Sequence, residues 1–129
     1  MSVLEEVAAL LASAGVGTSG TNLFVAYLPD APTNAVVVYE YAGAPPTEVF
    51  SSTAHERPRI QVVSRSDVYL TARSKAKLAW DTLNAVANQT LSSTLYLRVR
   101  VLQSPFLMGR DENSNALVAF NAECMKVVS

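Results

Sequence analysis

Apolar and polar positions alternate along this chain with two different periods, and each period points to an element. Val3, Leu4, Val7, Ala8, Leu11 and Ala14 recur at helical spacing. Ser2 and Glu5 match a capping box, in which the serine oxygen accepts a backbone N–H and the glutamate reaches back. Gly15 follows where a helix commonly ends in a left-handed residue. Residues 2 to 14 therefore read as an amphipathic helix. "NLFVAYL" then reads as a strand, "LPDAPTN" as a turn with two prolines, and "AVVVYEYAG" as a second strand rich in β-branched and aromatic residues. "RIQVVSR" alternates as a third, with Ile60 and Val62 on one face and Arg59, Gln61 and Arg65 on the other.

A long helix follows, from about Asp67 to about Ala87, with Ser66 or Asp67 as its cap. Tyr69, Ala72, Ala76, Ala79, Trp80, Leu83 and Val86 form a stripe that faces the sheet, while Arg73, Lys75, Lys77 and Asp81 face water. Leu78 lies opposite Tyr69 and opens a second contact face. "LYLRVRVLQSPF" alternates with Leu95, Leu97, Val99 and Val101 inward and Arg98 and Arg100 outward. "GRDENSN" supplies a turn, and "ALVAFNAECMKVV" the final strand. The order αβββαββ predicts an α+β fold: a largely antiparallel sheet, with a mixed one left open, and two helices packed on one face. At 129 residues, a single domain over residues 1–129 is expected. The stretch "GAPPTEVFSSTAHERP" reads as a long polar loop with three prolines, of a kind that is commonly mobile or functional.

Composition narrows the classes. Ten basic and eleven acidic residues nearly cancel, so bulk attraction to nucleic acid or an anionic membrane is not the organising theme. Half of the residues are hydrophobic, which suits a chain that covers part of its surface by association. The single Cys124 excludes an internal disulfide and a cysteine-rich metal site, and suits a reducing compartment. No apolar run approaches the roughly 18 residues of a membrane span. Glu5 and Glu6 near the start are unlike a secretory leader, so a soluble intracellular product is expected.

Candidate chemistry is thin. Gly15, Gly17 and Gly20 spell G-x-G-x-x-G, but they follow a helix and precede a strand, the reverse of the order that cradles a pyrophosphate. Capping and turning account for them. His55 lies beside Ser51, Ser52, Thr53 and Glu56 in the polar loop, with no nucleophile elbow, and reads as a solvated loop histidine. Asp111, Asn113 and Asn115 begin a calcium-loop pattern, yet Ala116 and Ala122 stand where its glycine and glutamate belong; a hydrogen-bonded turn is expected. Adjacent carboxylates such as Glu5–Glu6 lack the opposed environments of an acid–base pair, and Cys124 reads as a packed strand residue. No catalytic residue, cofactor site or metal site is expected, and the chain does not read as an enzyme. Arg57, Arg59, Arg65, Arg98 and Arg100 share one face if strands 58–65 and 95–105 are neighbours. Tyr96 is the only aromatic interleaved with them, so cross-subunit pairing with carboxylates is favoured over phosphate binding, with a plain solvated face as the further alternative.

The run "GVGTSGTNLFVAYLPDAPTNAVVVYEYAGAPP" resembles the N-terminal part of phage minor capsid proteins, a family overlapping the tail terminators of long-tailed phages. "RPRIQVVSRS" and "LRVRVLQSPFLMGRDENSNALVAFNAE" are similar to that family's third strand and C-terminal hairpin, in the same order. The resemblance implies a virion protein of the tail or neck, assembled in the host cytoplasm. It further implies a homo-oligomeric ring, commonly a hexamer, that caps the tail tube, stops its polymerisation and meets the head connector protein. Its expected partners are itself, the tail tube protein and the head connector, with no membrane and no sequence-specific nucleic acid. A head-completion or connector protein of the neck is the alternative; a small enzyme and a nucleic-acid-binding module rank below both. Expected interface residues are Pro45, Pro46, Phe50, Arg57, Arg59, Arg65, Leu78, Arg98 and Arg100.

Overall fold

Two long strands joined as a hairpin set the frame. The structure, a computed structural model, describes residues 2–49 and 52–127, with side chains placed for 2–41 and 56–127. Helix α1 (Val3–Ser13) leads into strands β1 (Leu23–Val25), β2 (Ala35–Val49) and β3 (Ser52–Ser66). Helix α2 (Tyr69–Asn84) follows, then β4 (Ala87–Leu91), β5 (Thr94–Val101), β6 (Phe106–Arg110) and β7 (Ala116–Val127). The seven strands form one sheet in the order β1-β2-β3-β7-β5-β4, with β6 paired to β7 beyond the end of β5. The β1–β2 pair is parallel and the other pairs are antiparallel, so the sheet is mixed.

The expected α+β class holds, and the expected order αβββαββ is corrected by two further strands after α2. β4 is polar and exposed for four of its five residues, so it carries no hydrophobic alternation. Its turn to β5 places Ser92 and Ser93 at φ +48° and +75°, the geometry of a tight hairpin turn without the usual Asn-Gly signal. β6 is the far half of what reads as one strand from Leu95, which breaks at residues 102–105, where proline supplies no N–H. The segment 43–57 is a second correction: most of it is strand. Pro45 and Pro46 lie within β2, and the β2–β3 register slips between Tyr41 and Ala44 and again between Ala44 and Thr47. His55 therefore stands on β3 opposite Val127, in a strand rather than a loop. Phe50 and Ser51 lie outside the described residues.

Both helices cover one face of the sheet. Val3, Val7 and Leu11 of α1 and Ala79 and Leu83 of α2 pack with Val36, Val38, Ile60, Val62, Phe120, Ala122 and Cys124. Fully burying a side chain such as Phe120 stabilises the fold by about 2–3 kcal/mol. Ala72 and Ala76 let α2 approach Val118 closely. On the opposite face a smaller cluster of Val37, Val63 and Ala119 lies under Phe24, Leu28, Tyr39 and Leu117.

The glycine-rich turn is structural, as the order of elements requires. Gly15 sits at φ +86°, and Val16 N–H and Gly15 N–H close on Leu11 O (3.0 Å) and Ala12 O (3.1 Å), the paired bonds of a Schellman cap. A Cβ on Gly17 would stand 2.9 Å from Asn22 Oδ1, the atom that accepts the Thr18 N–H at 2.7 Å. The Asp111 turn is closed the same way: its Oδ1 accepts the backbone N–H of Asn113 and of Asn115, each at 2.9 Å. These bonds to the charged form, Asn115 foremost, hold the Asp111 carboxyl below its ordinary range. Among the described residues no helix is long and apolar enough to cross a membrane, and no cluster of His, Cys, Asp and Glu is placed to hold a metal ion.

Candidate assembly face

The face of the sheet turned away from the helices is built by strict alternation. On β3 the even residues Ile60 and Val62 point into the core, so Arg57, Arg59, Gln61 and Val63 point outward. Register carries this pattern across the sheet. Tyr41 lies opposite Arg59, Arg59 opposite Glu123, and Glu123 opposite Arg100. A second row runs Tyr39, Gln61, Asn121, and Arg98 stands opposite Met125.

The strands bearing Arg57–Arg65 and Arg98–Arg100 are not neighbours, the condition set for a shared face: β7 lies between them. The arginines still converge, because β7 contributes Glu123 and Met125 at that point. Arg57, Arg98, Arg100, Glu123 and Met125 line one shallow depression of about 300 Å³. Arg59 Nε sits 3.3 Å from Glu123 Oε2. Arg59 is 43% exposed, so this pair contributes at most about 1 kcal/mol. Three arginines line the depression around one glutamate, which is already paired with Arg59, so the depression is cationic. Beside it Tyr39, Tyr41, Gln61 and Asn121 line a second depression. Partial burial raises both tyrosine hydroxyls above their ordinary pKa, opposed by Arg65 at Tyr39 and by Arg59 at Tyr41.

Arg65 belongs to the same face but is drawn into the structure. Its guanidinium is buried and donates to Thr33 O (3.1 Å) and Pro32 O (2.6 Å), pinning the 26–34 segment over the smaller cluster. Leu78 lies apart from these residues, on the outer face of α2. It is exposed, at 37%, beside Leu70, which is 69% exposed, and Ser74.

Tyr96 is a correction of direction. A register shift between Tyr96 and Arg98 turns it inward, so Leu95 is exposed and Tyr96 is fully buried. There it joins a polar cluster that the spacing of carboxylates did not reveal. Tyr96 Oη donates to Glu6 Oε1 at 2.8 Å, and Lys126 Nζ lies 3.5 Å from Glu6 Oε1 and 3.2 Å from Glu56 Oε1. Glu6 Oε2 has no hydrogen-bond partner among the described residues. Burial foremost, then the Glu6 carboxylate, drives the Tyr96 hydroxyl far above its ordinary pKa. The signal was in the sequence: Glu6 falls beside Val3 and Val7 on the stripe that α1 buries. Cys124 is buried in β7, which pushes its thiol up to about 12 and leaves it unreactive.

What the outer face offers is arginine, tyrosine and amide groups on a rigid sheet, the composition of a protein contact surface. Residues 10–128 match the family model described as bacteriophage tail terminator protein. The chain belongs to that family. Tail terminators are structural proteins of the virion and not a class of enzyme, and the terminator chain is accordingly a bacteriophage tail or neck component. Its fold is similar to a chain solved in the virion of a native gene transfer agent particle, with a TM-score of 0.62 at 15% identity, covering 93% of this chain and 86% of that one. No curated protein sequence matches it.

Proposed function

We propose that this terminator forms a closed ring, of six subunits as the family resemblance implies, that caps the tail tube, ends its polymerisation and joins the tail to the head. Its partners are further copies of itself, the tail tube protein and the head connector. The observation that supports this reading is the outer sheet face, where Arg57, Arg59, Arg98 and Arg100 surround a single carboxylate next to two tyrosines. Such a face suits an acidic partner surface, because guanidinium groups pair with carboxylates in fixed geometry. Pro45 and Pro46 of β2, Phe50 and the Leu78 side of α2 supply the remaining contacts. The ring is assembled in the host cytoplasm and stays in the virion neck.

Deleting the gene from its phage tests the role. A terminator leaves overlong or headless tails in electron micrographs. Finished tails beside leaking heads would assign the chain to the head connector instead. Native mass spectrometry over a concentration series tests the ring, with a discrete closed oligomer as the expected result.

A further inference from the structure

The sheet ends in three edges, and they are not treated alike. β4 is short and polar and carries Asn88 at φ +49°, which twists the strand; such an edge resists pairing with another chain. β6 is the opposite. Phe106, Leu107 and Met108 are 36%, 49% and 45% exposed, and no strand among the described residues pairs with its outer side. A bulge leaves Met108 without a partner on β7. At the other end of the sheet β1 covers β2 only from Val36 to Val38, and the chain departs after the Ala26 N–H to Val38 O bond. From Tyr39 onward the outer edge of β2 is open among the described residues, flanked by exposed Val25, Tyr27 and Tyr41.

We infer that the outer edge of β6 in one copy pairs with the open edge of β2 in the next, so that the sheet continues from subunit to subunit. The occupant is a second copy of this chain, and the inference rests on the ring proposed above. Two observations choose it. The edges are complementary in charge: Arg110 closes β6, whereas Glu40 stands on the open stretch of β2, and neither has an ion-pair partner among the described residues. The edges are also different surfaces at opposite ends of one sheet. Pairing them is head-to-tail, which closes into a ring when the rotation permits and cannot stop at a symmetric dimer. Backbone hydrogen bonds supply the attraction, and Phe106, Leu107 and Met108 against Val25, Tyr27 and Tyr41 exclude water around them.

Cysteine pairs test this directly, since buried Cys124 does not compete for oxidant. Met108→Cys combined with Tyr41→Cys should give, on mild oxidation, a ladder of covalent oligomers ending at the ring, while each single variant gives none beyond a dimer. Arg110→Glu and Glu40→Arg should each weaken assembly about tenfold by replacing attraction with repulsion, and the two together should restore it. Glu5→Gln, which removes an exposed charge on α1 while glutamine can keep the capping-box bond, serves as the control and should change nothing. A closed oligomer in native mass spectra that shows no ladder and ignores Arg110→Glu overturns the edge pairing and leaves the ring standing. A chain that stays monomeric at every concentration and never cross-links overturns both.

Discussion

At the scale of single residues, the stability of this chain depends on one buried polar cluster. Lys126 is the cation between Glu6 and Glu56, and it is 5% exposed against 1% for Glu6. Replacing Lys126 with Met leaves Glu6 as an uncompensated buried charge. Loss of about 3 kcal/mol of unfolding free energy is expected, measured by urea titration. Tyr96→Phe tests the same cluster by pH. The folded chain keeps the Tyr96 proton at pH values where the unfolded chain, titrating near 10, has released it. The folded pKa is raised, so this stabilising contribution is complete below about pH 10 and is lost as pH climbs above it. Stability of the wild type should therefore fall steeply with rising alkalinity. The variant should lose part of that slope while giving up about 1 kcal/mol for its hydrogen bond near neutrality.

At the scale of elements, α2 and β3 show where the sequence was legible and where it was not. The stripe Ala72, Ala76, Ala79 and Leu83 is buried as its spacing predicts, because a helix laid on a sheet must bury one face whatever lies beneath it. Alternation on β3 likewise sorted Ile60 and Val62 from Arg59 and Gln61. The prolines of β2 were misleading, since a missing N–H is tolerated where the register slips. Tyr96 was assigned to the wrong face for a related reason: one extra residue in β5 inverts every position beyond it, and no local pattern announces a bulge. Convergence of the arginines was legible only in part, because it depends on which strand separates β3 from β5, and strand order is decided by long-range packing. Close approach of α2 to Val118 yields its own test. Ala76→Leu should cost about 1–3 kcal/mol by overpacking, read as a lowered midpoint in thermal or urea unfolding.

At the scale of the whole molecule, the helix-covered core and the arginine-bearing part of the proposed assembly face lie on opposite sides of one sheet, so the two are separable. Arg98 and Arg100 are exposed and make no ion pair among the described residues. The double variant Arg98→Gln, Arg100→Gln should keep the wild-type unfolding free energy to within about 0.5 kcal/mol, because exposed substitutions rarely matter more. It should nevertheless fail to restore normal tail length in a phage lacking the gene. A normal tail would remove this face from the proposed contacts. The alternation of β3 and β7 carries a consequence for heredity as well. Under the proposed assembly, two selective pressures are interleaved residue by residue along the same strands, one for a soluble chain and one for an infectious particle. A saturation scan of residues 57–62 and 120–125, scored once by soluble yield and once by plaque formation, should show tolerance rising and falling with a period of two. Even positions should fail both screens, whereas Arg57, Arg59, Gln61 and Glu123 should fail the second alone, leaving this phage free to change its partners without relearning how to fold.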